Sequence, residues 1–275
     1  MPPSNRAPYT APYTSPSANE LLGILLRDYP AILGCDVAGE VVEVHHFEVD
    51  AYTISDHGKY CYSAFQEYVV LRLPSIAKIL KGLAYEDAAA SCLFIDKTIG
   101  LDLPSIDGIQ HSQGKTLLVW GASSNVGPCG VQMAVLAGYE VMGVASKRNH
   151  EIVRGLGASA CFDRKDPALV DDIVTYLRGK DVVGAYSAID SNSALDAMCE
   201  ILDRSDGRKL VAISQDIAGN EVGKEIWQWL ARAMEKNRIK YMPQSEIVGK
   251  GLEHVQRAVD TLAKGVSAKK LVVSI

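Results

Sequence analysis

Between residues 116 and 243 short apolar runs alternate with longer amphipathic stretches. The runs Thr116-Leu-Leu-Val-Trp120, 140–145, 159–163, 182–189 and 209–213 are bounded by glycine or polar clusters and predict buried strands. Between them, 126–137, 148–156, 168–178, 192–203 and 221–236 predict helices. Strand and helix alternating at this rhythm predict an α/β fold, a doubly wound parallel sheet. Outside this block, 37–44 and 64–70 predict strands. Residues 86–100 predict a helix, and a last helix over 248–264 leads to a terminal strand in Lys270-Leu-Val-Val-Ser-Ile275 that returns to the smaller domain. Paired glycines at 34 and 39 mark close backbone approach or bulges in a small antiparallel barrel.

The junction after the first strand carries the most chemistry. Gly121, Ala122, Ser123, Ser124, Asn125, Val126 and Gly127 form a turn of small residues between a strand and a helix. Such a turn lets backbone N–H groups and a helix start approach a pyrophosphate. Of the G-x-G-x-x-G spacing only the last glycine survives, since the pattern reads Ala122-x-Ser124-x-x-Gly127. Pro128 falls in the first helical turn, and Gly138 suits the helix end. The second strand ends at Ser146-Lys147-Arg148. An acidic residue there holds the ribose 2′-OH of NAD, whereas a hydroxyl and two cations suit a 2′-phosphate, so the expected cofactor is NADP(H). A cation pair opening a helix opposes the helix dipole, and a bound phosphate accounts for it better than a solvated helix start.

Composition narrows the remainder. The chain has 275 residues, 48% of them hydrophobic, and a net charge of −5 with both signs interspersed, so no basic stripe marks it for nucleic acid. Cys35, Cys61, Cys92, Cys129, Cys161 and Cys199 stand singly, which offers neither a redox dithiol nor a zinc staple and fits a reducing cytoplasmic setting. Residues 1–28 open with Pro2, Pro3, Pro8, Pro12 and Pro16 and a duplicated Ala-Pro-Tyr-Thr, a composition expected to stay disordered. The apolar run 21–26 is far too short to span a bilayer, and no membrane association is expected.

Taken together, Gly34-Cys-Asp-Val-Ala-Gly-Glu-Val, Ala64-Phe-Gln-Glu-Tyr-Val-Val, Val119-Trp-Gly-Ala-Ser-Ser-Asn-Val-Gly, Ala145-Ser-Lys-Arg-Asn and the tail Gly265-Val-Ser-Ala-Lys-Lys-Leu-Val-Val occur in the order and spacing of a known family. Over residues 29–275 the chain resembles the medium-chain dehydrogenase/reductase superfamily. The similarity is greatest to its zinc-independent, quinone oxidoreductase-like branch and, within it, to fungal trans-acting enoyl reductases. The resemblance implies a Rossmann NADP-binding domain over 86–243 and a smaller GroES-like β-barrel domain from 29–85 and 244–275. It implies an NADPH-dependent reduction of an activated C=C bond or a quinone. The substrate is then a small molecule or an enoyl chain on an acyl carrier, and the protein a monomer or homodimer. Compared with the family, the barrel appears incomplete at its amino-terminal side, and the loop around His45 is short. That leaves a second reading: an NADPH-binding protein with little or no catalysis.

Other candidate residues carry less. Zinc-dependent relatives have Gly-His-Glu where this chain has Gly34-Cys35-Asp36. His45, His46, His57 and Cys61 do not complete a three-ligand set, so no metal is expected. Tyr176-Leu-Arg-Gly-Lys180 spells a Y-x-x-x-K dyad, but it follows the glycine turn too soon for the short-chain dehydrogenases and is assigned to chance. Tyr186 and Asp190 sit near the end of the fourth strand, where Ser187, Ile189 and Asp190 either line a nicotinamide-ribose pocket or simply pack the strand end. Ile213, ending the fifth strand, joins Asp190 in the expected cofactor set. The family's Thr-Ala pair near the nicotinamide reads Lys97-Thr-Ile. No acid or base is assigned; Tyr52, Tyr60, Tyr62 or water would supply a proton, and the protein's main task is orientation.

Overall fold

The structure is a computed structural model. It describes residues 37–41, 63–71, 79, 81–82, 84–86, 101–106, 112–189, 191–205, 211–213 and 221–275 (the side chains of 213, 221–224 and 227 excepted). Its centre is a five-stranded parallel sheet built from β1 (Lys115–Trp120), β2 (Glu140–Ala145), β3 (Ala160–Asp163), β4 (Asp181–Ser187) and β5 (Val211–Ile213). The spatial order is β3-β2-β1-β4-β5. The chain therefore winds outward one way from β1, then crosses back to β4. This places a switch point between β1 and β4, at whose carboxyl ends open α/β sheets bind their ligands.

Alternation within β1 explains why the sheet is covered on both faces. Leu117 and Val119 face one core with α1 (Gly127–Leu136) and α5 (Glu221–Glu235). Leu118 and Trp120 face the other, with α3 (Leu169–Leu177) and α4 (Asn192–Asp203). Leu117, Leu118 and Val119 are at most 1% exposed, so neither face of β1 reaches water. A strand buried on both faces reads as a continuous apolar run, as this one does. The stretch expected as one helix over 148–156 divides into a 3-10 turn, Lys147–Asn149, and α2 (His150–Gly155).

The carboxyl-terminal region departs from expectation. Residues 248–264 do not form one helix. Gln244–Lys250 is a strand, β6; a 3-10 turn over Leu252–His254 follows, then α6 (Val255–Ala263). β7 (Lys269–Ser274) pairs with β6 in parallel as a separate two-stranded sheet. The reason lies in Gly251, whose φ of +100° is outside the helical region, so no helix runs through it.

The strand expected over 64–70 does not form either. Gln66 N–H donates to Ala64 O at 2.9 Å, and its side-chain Nε2 donates to Ser63 O at 2.7 Å. These local bonds bend the segment and consume groups that a ladder would need. Within 37–44 only 37–41 are described, and they lie outside any ladder. No described helix is long and apolar enough to cross a membrane.

Candidate functional site

The turn after β1 is held from three sides. Gly121 and Ala122 both donate their N–H to Val144 O at 3.0 Å, tying the turn to the end of β2. Ser124 Oγ donates to Ala188 O at 3.1 Å, beyond the end of β4, and accepts from Gly127 N–H at 3.1 Å. Ser124 N–H closes the turn on Gly121 O at 2.8 Å. Gly121 adopts φ +74°, where an L side chain is strained. A Cβ on Gly127 would collide with Gly121 O and lie 2.8 Å from Ala122 Cα. The helix start is thus pressed onto the strand end, the contact the third glycine of a dinucleotide turn provides.

This network sorts the turn residues by availability. The N–H groups of Gly121, Ala122, Ser124 and Gly127 are engaged within the turn and its neighbours. Those of Ser123, Asn125 and Val126 have no acceptor among the described residues. Three unengaged N–H groups at the mouth of a helix N-terminus form a site suited to an anion.

A second group converges beside it. Ser146 directly follows β2, and its Oγ accepts from Arg164 Nε at 3.1 Å. Arg164 follows β3, the strand next to β2, and its own N–H donates to Ala145 O. Sequence reasoning missed Arg164. The available signal was its place one residue past a strand that borders β2 in this sheet order. Arg148 Nε donates to Ser267 Oγ at 3.0 Å, from the loop between α6 and β7. Asn149, only 6% exposed, donates through one amide nitrogen to both Ser123 Oγ and Ser267 Oγ at 3.0 Å. Lys147 and Arg148 are exposed beside these hydroxyls. The carboxyl-terminal edge of β1–β3 therefore presents backbone N–H groups, serine hydroxyls and three cations. A phosphorylated nucleotide with its charge on that edge fits this donor set.

The remaining expected residues divide. Ser187 is 1% exposed and donates to Ile189 O at 2.8 Å, so its hydroxyl completes the strand end. Tyr186 is 3% exposed and lies against α1, where a Cβ on Gly130 would come within 2.8 Å of its ring. It fills the core instead of facing a ligand. Ile189 leans over Gly121: a Cβ there would lie 2.7 Å from Ile189 Cγ2. The Ile213 backbone pairs in register with Ser187 at the carboxyl ends of β5 and β4. Asp190, residues 87–100 of the helix expected over 86–100 with Lys97 among them, Cys35, Asp36, the histidines at 45, 46 and 57, Cys61 and the tyrosines at 52, 60 and 62 lie outside the described residues. Among the described residues, no three His, Cys, Asp or Glu side chains gather as metal ligands.

Tyr176 and Lys180 lie at the opposite, amino-terminal edge of the sheet. Tyr176 Oη donates to Glu140 Oε1 at 2.7 Å, and Lys180 Nζ donates to both Glu140 oxygens at 2.7 and 2.8 Å. Thr116 Oγ1 adds a fourth bond at 3.1 Å. Burial works to raise the Glu140 pKa, but donation from Lys180, Tyr176 and Thr116 prevails and holds it below the ordinary carboxylate value. Burial, then the bond to Glu140, pushes the Tyr176 phenol up to about 12. The dyad is a structural clasp.

No family model matches the chain. Individual proteins do. A dehydrogenase of Aspergillus niger is 34% identical over 288 residues, spanning 90% of this chain and 83% of that protein. A trans-enoyl reductase of Aspergillus japonicus is 31% identical over 282 residues, spanning 90% and 82%. Among solved structures, a quinone oxidoreductase of Pseudomonas syringae superposes with a TM-score of 0.63 at 16% identity, covering 91% of this chain and 84% of its own. A mycobacterial protein complexed with NADPH gives 0.61 at 17% identity, covering 90% and 84%.

Proposed function

Because the chain belongs to the medium-chain dehydrogenase/reductase superfamily, among its fungal dehydrogenases and trans-enoyl reductases, we propose that it reduces an activated C=C bond or a quinone with NADPH. The observation that carries the cofactor choice is the set of donors at the carboxyl-terminal edge. Arg164 donates to Ser146 and Arg148 to Ser267, and Lys147 is exposed. The unengaged N–H groups of Ser123, Asn125 and Val126 suit the pyrophosphate. The close approach at Gly127 leaves room for it. The relative solved with NADPH supports the same choice.

When bound, the cofactor supplies the hydride; the chain's own residues bind and orient it. Ile189, lying over Gly121, and the strand ends at Ala188 and Ile213 would hold the nicotinamide half of the cofactor. On this reading a cofactor domain spans 86–243 and a smaller substrate domain is drawn from 29–85 and 244–275. The proposed reaction needs no zinc. A small enoyl compound or a carrier-bound enoyl chain is the substrate class, as the name of the Aspergillus japonicus relative suggests. The direct experiment follows NADPH oxidation by the full chain against enoyl thioesters and quinones, with and without chelator. Turnover with at least one class, undiminished by chelator, is expected; no turnover with either would overturn the reading.

A further inference from the structure

The hydroxyl of Ser267 lies far along the chain from the cofactor motif, yet it sits inside the group of donors described above. It accepts from Arg148 Nε and from Asn149 Nδ2, both at 3.0 Å. A serine oxygen has two lone pairs and one proton. Both lone pairs are therefore engaged, and the O–H is left to donate. No described residue accepts it. The neighbours share this character. Asn149 uses its amide nitrogen on Ser123 Oγ and Ser267 Oγ. The terminal guanidinium nitrogens of Arg148 and the Lys147 ammonium have no acceptor among the described residues. Donors thus exceed acceptors, and a single multivalent anion would satisfy the excess.

The loop is shaped to present this hydroxyl. Ala268 has φ +51° and Gly265 φ +88°, so left-handed residues bracket Ser267. For alanine that conformation is strained, and it persists only where the surroundings hold it. β7 begins at Lys269, directly after the loop. Anything that fixes Ser267 also fixes the start of the β6–β7 sheet.

We infer that Ser267 is a cofactor-binding residue supplied by the carboxyl-terminal unit: its O–H donates to the 2′-phosphate, and cofactor binding thereby locks the β6–β7 sheet onto the Rossmann sheet. This rests on the NADPH reading and assigns that site a member from outside the β1–β3 edge. It also makes the 2′-phosphate a signal. A cofactor without that group leaves the bond from Ser267 unmade, and among the described residues the Ser267 hydroxyl keeps only its bonds from Arg148 and Asn149.

The test uses the full chain with adenosine 2′,5′-bisphosphate and adenosine 5′-monophosphate as probes, so that turnover plays no part. Calorimetric titration of the wild type should give at least about tenfold tighter binding of the bisphosphate. Ser267→Ala should lower bisphosphate affinity about five- to tenfold and leave the monophosphate unchanged. Ser267→Thr, which keeps the hydroxyl, should restore discrimination. In hydrogen exchange the bisphosphate, but not the monophosphate, should slow residues 264–274 in the wild type, and Ser267→Ala should abolish that slowing. If Ser267→Ala discriminates as the wild type does, the inference fails while the NADPH reading stands. If the wild type does not discriminate, both fail.

Discussion

The two ends of the parallel sheet hold similar residue types arranged to opposite effect. At the amino-terminal edge, Glu140 offers two oxygens, and Thr116, Tyr176 and Lys180 fill them. Lys180 also lies 4.6 Å above the Tyr176 ring, which meets Phe162 edge-on. The two charges of this cluster, Glu140 and Lys180, are paired with each other inside the protein. At the carboxyl-terminal edge, Arg164 donates to Ser146, Arg148 donates to Ser267, and Asn149 donates to both Ser123 and Ser267, with no carboxylate among these partners. A cluster closed on itself stabilises a fold. A cluster left with excess donors is arranged for a ligand that is not part of the chain. The motif-like Tyr176/Lys180 pair belongs to the first kind, and the less conspicuous serines and arginines to the second.

The contrast breaks most visibly at Gly127. Gly127→Val forces a side chain into Gly121 and Ala122. NADPH binding should weaken by at least about 100-fold, ~2.7 kcal/mol, as read by cofactor fluorescence. Because the site is a packed helix–strand contact, thermal stability should also fall, by about 1–3 kcal/mol. Near-normal binding would mean that the phosphate does not sit at this turn.

Arg148→Ala and Arg164→Ala sharpen the comparison. Each removes a cation from the open cluster, and charge-assisted bonds contribute about 1.5–3 kcal/mol. Each variant should lose roughly tenfold or more in NADPH affinity, with NADH affinity changed by less than about twofold. Parallel losses for both cofactors would place these arginines elsewhere than at the 2′-phosphate.

Glu140→Gln should do the reverse. Opening the closed cluster leaves Lys180 without its carboxylate, and urea unfolding at neutral pH should show a loss of about 1–2 kcal/mol, with the NADPH dissociation constant unchanged. A smaller effect follows in pH. The folded-state pKa of Glu140 lies below its unfolded value of 4.5, so its stabilisation is fully present above 4.5 and is lost as pH falls through the folded pKa. The stability gap between wild type and Glu140→Gln should therefore narrow below that pH. A gap independent of pH would show that the clasp acts through packing and not through charge.

Much of the sheet was legible because its strands are buried on both faces. The runs expected at 116–120 and 140–145 correspond to β1 and β2 within one residue, since nothing but a central strand accommodates Leu117 through Trp120 with no polar side. The carboxyl-terminal region was not legible in the same way. β6 has an intermediate, two-sided character, and the helix rhythm of 255–263 extends backward toward it until Gly251 intervenes. The segment 64–70 shows the same limit: its β-forming residues lose to a side chain, Gln66, that turns back on its own backbone. In the candidate site, the local turn 121–127 was readable as a motif. Arg164 and Ser267 were not, because they reach Ser146 and Arg148 only through strand order and chain reversal.

The claim on which the account turns is that the open cluster reads a 2′-phosphate, and equilibrium titration of the purified chain with NADPH and NADH tests it most directly. Two or more charge-assisted bonds at Ser146, Arg148 and Arg164 predict NADPH binding at least about tenfold tighter, a gap that shrinks as salt is raised. Equal affinities, or tighter binding of NADH, would contradict it.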